Sequence, residues 1–228
     1  MQNSQDKFIG FRNLFVRSKI PKPKAKRKKN TKHKPWKYQK KLQKEYSLTD
    51  LPTVEELYST CMRCEDEGKR ALFALLYLTA ARISEILPIS NKDNGGIKKK
   101  NISFDYIDNK PVGYVRLRNM KNKTRKSKRL PIPIEKEKQL YKLVYDHIKY
   151  LPDEAKLFTF GRRTGYNYCT KVFGLNPHFI RHIRASHLVL NYDFNEQALV
   201  RFMGWSDPRP AKYYIEMNDK SVFRQFYK

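Results

Sequence analysis

Ala71-Leu-Phe-Ala-Leu-Leu-Tyr-Leu78 is apolar almost all the way round a helix, so a helix here has no face for water and must be enclosed by protein. That run marks the centre of a core. Just upstream, near Leu51, Thr53 and Glu56 have the capping-box spacing that satisfies the first free amides of a helix. Downstream, between Ile102 and Ile134, the pattern changes to alternation: Ile102, Phe104 and Tyr106, then Val115 and Leu117, then Leu130, Ile132 and Ile134. A period of two is the signature of strands, and three such runs predict a small antiparallel sheet. Leu140, Leu143, Val144, Ile148 and Leu151 return to helical spacing, and further helices are expected over 164–173, 177–190 and 195–203. The fold class expected is mainly α with a small antiparallel β-sheet, an α+β domain over residues 48–228.

The charge of the chain points to its partner. Forty-nine Lys and Arg against 22 Asp and Glu leave a formal charge of +27 on 228 residues. Such a chain repels itself unless a polyanion is near, and nucleic acid is the natural one. No apolar run approaches the roughly eighteen residues of a spanning helix, and no signal-peptide pattern opens the sequence. The expected location is therefore inside the cell on DNA: cytoplasm or nucleoid, or the nucleus of a eukaryotic host. Cys61, Cys64 and Cys169 are odd in number, which argues against a disulfide framework. Cys61 and Cys64 form a CxxC, but no second Cys or His pair follows at zinc-ribbon spacing, so ordinary thiols are expected and no metal.

Residues 1–47 read as a basic arm. From Arg17 to Lys44 there are 14 Lys or Arg, no acid and three prolines, a composition that cannot bury apolar surface and is expected to be disordered when free. Ahead of it, Phe8, Ile9, Phe11, Leu14, Phe15 and Val16 suffice for a short docking segment but not for a core. The arm can follow a phosphate backbone through Lys26, Arg27, Lys28 and Lys29, with Trp36 and Tyr38 available to stack. The bland alternative is a solubilising or targeting tail.

Several basic and aromatic residues fall at expected helix starts and turns. Asn176 and Pro177 look like an N-cap and a first helical residue, which puts His178 and Arg181 one turn apart on one face, able to share a phosphate. No cluster of carboxylates suits a two-metal nuclease. Phosphoryl transfer on this chain would have to rest on cations and a side-chain nucleophile.

Four stretches resemble the motifs of the tyrosine recombinases, also called the phage integrase family. Thr79-Ala-Ala-Arg-Ile-Ser-Glu-Ile-Leu87 is similar to the family's TGxRxSEL box, which sets the first catalytic arginine at Arg82, with Glu85 in support. His178-Phe-Ile-Arg-His-Ile-Arg-Ala-Ser-His187 resembles the HxxR helix and sets His178 and Arg181. Met203-Gly-Trp-Ser206 resembles the LGH turn, with Trp205 where histidine is commoner; its indole N–H still donates to a phosphate oxygen. The family's nucleophilic tyrosine follows that turn by nine residues, which is Tyr214, with Tyr213 as rival. Lys123-Thr-Arg-Lys-Ser-Lys-Arg-Leu-Pro131 is similar to the hairpin whose lysine lies eight residues before a proline, which makes Lys123 the catalytic lysine and Lys121 the fallback. Lys121, Lys126 and Lys128 are otherwise expected to be solvated or to contact DNA phosphates. His182 and His187 are expected to be structural. The boxes keep the family's order over 135 residues, although each alone is a weak signal.

The resemblance implies the tyrosine recombinase catalytic-domain fold and a cofactor-free reaction. Arg82 and Arg181 would hold the non-bridging oxygens, Lys123 would protonate the departing 5′ oxygen, and His178 would assist proton transfer at the tyrosine hydroxyl. A 3′-phosphotyrosine would form at Tyr214 and be reversed by a 5′ hydroxyl, with neither metal nor ATP. It also implies double-stranded attachment-site DNA as substrate, a homotetramer on two sites and a mobile element or virus as context; no accessory protein is named by the sequence. The tail Val222-Phe-Arg-Gln-Phe-Tyr-Lys228 resembles those that relatives pass to a neighbouring subunit. The helical domain that closes a clamp around DNA in most relatives has no room here, and the basic arm is expected to substitute unless the chain is a piece of a longer one. Two other readings use the same residues: a type IB-like topoisomerase or telomere resolvase, and a DNA-binding protein without catalysis.

Overall fold

The computed structural model describes residues 51–89, 95–118 and 127–216. Its elements run α1 (Val54–Met62), α2 (Glu67–Thr79), α3 (Ile83–Ile86), a 3₁₀ turn (Lys99–Asn101), β1 (Ile102–Ile107), β2 (Lys110–Arg118), β3 (Ser127–Pro133), α4 (Lys138–Ile148), α5 (Arg162–Lys171), α6 (Pro177–Tyr192), α7 (Glu196–Met203) and α8 (Arg209–Glu216). The fold class is the one expected. The arm, Lys121, Lys123, Lys126 and the tail after Glu216 lie outside the described residues.

Local chemistry sets most of the helix starts. The Thr53 hydroxyl accepts from the Glu56 amide at 3.2 Å while the Glu56 carboxylate accepts from the Thr53 amide at 2.9 Å, a complete capping box on α1. Asn176 caps α6 through the Phe179 amide, with Pro177 in the first turn. Helix α2 starts four residues before the apolar run because Asp66 caps it through the Lys69 amide at 2.9 Å. From Ala71 to Thr79 every residue of α2 is buried. Helices α4, α5, α6 and α1 pack around it, as a helix without a polar face requires. No helix among the described residues is long and apolar enough to cross a membrane. All three cysteines are buried free thiols.

The sheet is antiparallel in the order β1-β2-β3. Asp108 and Asn109 turn β1 into β2, and both have positive φ, 47° and 59°, the twist that a two-residue hairpin needs. Val115 and Leu117 on β2 face Leu130 and Lys128 on β3, and the Val115, Leu117, Leu130 and Ile132 side chains are buried. Strand β1 departs from the alternation read in the sequence. It pairs in the expected register, but only Ile102 is buried, while Phe104 is 49% and Tyr106 72% exposed. As an edge strand it has one neighbour, and Phe104 is covered only edge-on by Tyr141 and Tyr145 of α4.

A buried polar network ties α6 to the core. Arg184, fully buried, pairs with the equally buried Glu137. Glu137 also accepts from the Tyr192 hydroxyl at 2.6 Å, and the Arg184 guanidinium lies over the Tyr77 and Tyr192 rings. The Tyr77 hydroxyl sits 2.7 Å from His187 Nδ1. Burial, helped by Arg184, holds the His187 pKa at about 4 against an ordinary 6.5. Its folded pKa is depressed, so the unfolded chain binds a proton first on acidification. Stability is complete above pH 6.5 and falls as the pH drops toward 4, by up to about 3 kcal/mol from this group. Urea unfolding at pH 7 and pH 4.5 is expected to show a smaller acid loss for His187→Gln than for the parent chain; equal losses would assign the acid sensitivity elsewhere.

Candidate active site

Helix α2 ends at Ala80, whose φ of 47° is left-handed. The chain thereby turns sharply into Arg82, the N-cap of α3. Three residues on, Glu85 is nearly enclosed and accepts from the Arg82 amide at 2.8 Å and from its guanidinium at 3.3 Å. A buried carboxylate therefore fixes both the backbone and the side chain of this arginine.

Arg181 enters the same place from the second turn of α6. Its Nη1 donates to the Ala80 carbonyl and its Nη2 to the Met203 carbonyl at 2.7 Å. One forked side chain thus joins the end of α2 to the end of α7, a geometry that needs the planar donor set of arginine. Burial and the nearby Arg82 lower its pKa to about 10, so it stays charged at neutral pH. His178, one turn earlier, has its pKa lowered by burial and by Arg181 and Arg82. The expected pair therefore does share one electropositive region with Arg82.

Lys128, expected from the sequence to be solvated or to contact DNA phosphates, is not solvated. Its side chain is only 14% exposed, with Nζ 3.6 Å from Glu85 Oε2. Its ammonium is among the buried polar atoms without a hydrogen-bond partner. Burial foremost, together with Arg181 and Arg82, brings its pKa down to about 8 against the pull of Glu85. The register explains the placement. Lys128 sits opposite the buried Leu117, and residues directly opposite across a ladder share a face. The signal was present in the alternation: Lys128 precedes Leu130 and Ile132 by steps of two.

The tyrosine closes the site. Gly204, at a φ of 64°, caps α7 and delivers Trp205, whose ring stacks on Tyr214 of α8 at 5.8 Å and 17°. The Arg181 guanidinium lies 5.9 Å from the same indole. Tyr214 is 9% exposed, and burial raises its pKa while Arg181 draws it back. Tyr213 is half-buried beside it, edge-on at 5.3 Å. The Tyr214 hydroxyl lies 2.8 Å from His182 Nδ1. The sequence reading gave His178 a part in proton transfer at the tyrosine hydroxyl and took His182 as structural; the hydrogen bond to the hydroxyl is made by His182, one turn further along α6. Four-residue spacing on one helix was the available signal, since it keeps both histidines on one face. Arg82, Glu85, Lys128, His178, Arg181, Trp205 and Tyr214 thus converge at the meeting of α2, α6, α7, α8 and the β2–β3 hairpin.

Residues 47–221 match the Phage integrase family. The chain belongs to that family. No curated protein matches it. Among solved structures, this phage integrase family chain is similar to the XerH site-specific recombinase bound to palindromic difH substrate in a post-cleavage complex, with 14% identity over 75% of this chain and a TM-score of 0.47. It is similar also to the XerA recombinase, with 19% identity over 72% of this chain and 63% of that one, at a TM-score of 0.42. The Tn1549 transposon integrase in complex with circular intermediate DNA gives 18% identity over 83% of this chain and 75% of that one, at 0.44. The chain spans half the length of the XerH chain. One departure from the family's first box has a structural reading. Where TGxRxSEL has glycine this chain has Ala80, and a left-handed residue with a Cβ carries about 1 kcal/mol of strain.

Proposed function

We propose that this integrase-family chain is a site-specific DNA recombinase that cleaves and rejoins duplex DNA through a 3′-phosphotyrosyl bond to Tyr214. The observation that carries this reading is the stacking of Tyr214 on Trp205, itself beside the guanidinium of Arg181. A phosphodiester under attack gathers negative charge on its non-bridging oxygens, and fixed cations are what lower that barrier. Arg82 and Arg181 supply them, with His178 as a hydrogen-bonding imidazole and Trp205 donating from its indole. Lys123 is the general acid for the 5′ oxygen. Lys26, Arg27, Lys28 and Lys29, with Lys121 and Lys126, contact backbone phosphates, while Lys128, buried beside Glu85, adds its charge inside the site, and residues 1–47 act as an arm ahead of the catalytic domain. Paired strand exchange needs four tyrosines, so the working assembly is a homotetramer on two DNA sites, and a mobile element or virus is the context that fits.

The test is a nicked duplex carrying candidate attachment sequence, incubated with the parent chain and with Tyr214→Phe and run on a denaturing gel. A covalent protein–DNA band is expected for the parent and none for Tyr214→Phe. A band that survives in Tyr214→Phe and disappears in Tyr213→Phe would move the nucleophile by one residue. Tight, salt-sensitive binding with no band on any DNA would leave a binder without catalysis.

A further inference from the structure

The proton of the attacking hydroxyl has to go somewhere. A free phenol titrates at about 10, and burial raises Tyr214 further, so it is a neutral phenol at physiological pH. The group within hydrogen-bond reach of that hydroxyl is His182, whose Nδ1 stands 2.8 Å away. The titratable groups around His182 are His178 on its own helix and Tyr213 and Tyr214 from α8. The Phe179 ring lies 5.9 Å from that of His182, and the Ser186 hydroxyl donates to the His182 carbonyl. Burial first, and His178 second, depress the His182 pKa to about 4. The ring is then uncharged and has one nitrogen with a free lone pair. With Tyr214 holding its proton, the 2.8 Å contact is a phenol O–H donating to Nδ1.

We infer that His182 is a catalytic residue of this site, taking the phenolic proton of Tyr214 at Nδ1 as the tyrosine oxygen attacks phosphorus. The inference rests on the strand-transfer reading above. The Tyr214 Oη–P bond forms and the P–O5′ bond breaks. The phenolic proton passes to His182, and the 5′ oxygen receives a proton from Lys123. Rejoining runs these transfers backwards, with the His182 imidazolium returning the proton to the departing tyrosine. The bound phosphate supplies the negative charge that makes an imidazolium tolerable where the DNA-free site, through burial and the neighbouring His178, disfavours it.

The deciding variant is His182→Asn. Its amide oxygen can stand near the Nδ1 position and accept the hydroxyl hydrogen bond, but it cannot take up the proton. Single-turnover formation of the covalent band is measured across pH 5.5 to 9.5 for the parent chain, His182→Asn and Tyr214→Phe, alongside thermal unfolding of each. The expected result is a folded His182→Asn slower by roughly 100-fold at pH 7, the usual scale of general-base assistance. Its rate should climb toward the parent's as solution hydroxide takes over at high pH. Restoration of the parent rate by Asn, or a slower rate whose pH profile is unmoved, would overturn the inference and leave His182 as packing. A band in Tyr214→Phe would sink the strand-transfer assignment of Tyr214 instead, so the two failures are separate.

Discussion

Arg184→Met is expected to destabilise the domain by about 3–5 kcal/mol, the cost of leaving one member of a buried ion pair without the other. Arg184 and Glu137 are both inaccessible to water, and Glu137 would keep only the Tyr192 hydroxyl as partner. Replacing both, Arg184→Met with Glu137→Leu, is expected to cost less than either single change, because apolar groups of similar volume demand no counter-charge. The measurement is a double-mutant cycle from urea unfolding. Additive losses would mean that the two side chains act independently, contrary to their contact in the structure. Nothing in this network touches the phosphate region, so the folded fraction of each variant should retain its covalent-band activity.

The second large effect is expected at Arg181→Lys, which keeps the charge and loses the fork. Cleavage is expected to fall by at least roughly 100-fold, on the scale of removing a preorganised oxyanion donor. An ammonium cannot reach the Ala80 and Met203 carbonyls together, as the guanidinium does. The end of α2 and the end of α7 then lose their common tie, and whatever phosphate contact remains is misaligned. Single-turnover cleavage compared with DNA affinity separates the effects: affinity should change only a few-fold, since a positive charge remains. A Lys variant that cleaves at the parent rate would show that charge alone suffices here.

How much was legible follows from the range of each interaction. Capping boxes are written within four residues, so Thr53 with Glu56 and Asn176 with Pro177 could be read directly, and both are present. The enclosure of Ala71–Leu78 was equally local. Helix α8 has a local start signal that went unread, Asp207 accepting from the Arg209 amide at 2.9 Å with Pro208 between them. It is eight residues long and buries only Ala211 and Tyr214, too short a run for a periodicity to declare itself. The alternation in β1 gave the pairing but not the burial, since exposure depends on what lies over the strand rather than on the strand. The Arg184–Glu137 pair spans 47 positions and the His182–Tyr214 contact 32. No single-sequence pattern encodes pairs so far apart. Lys128 was legible in principle, since strand alternation already put it on the inner face.

Helix α8 is fastened by very little, and its largest fastening is the phenol itself. Ala211 and Tyr214 are the buried residues of its eight, so the side chain proposed as the nucleophile is also the peg that seats its helix. On the proposed reaction, bond-making and anchoring are one mechanical event. Drawing the phenol out of its slot between Trp205 and His182 to meet a phosphate loosens the segment that carries it, and a fluorophore on the exposed Lys212 would report the travel of the nucleophile before any covalent band could form.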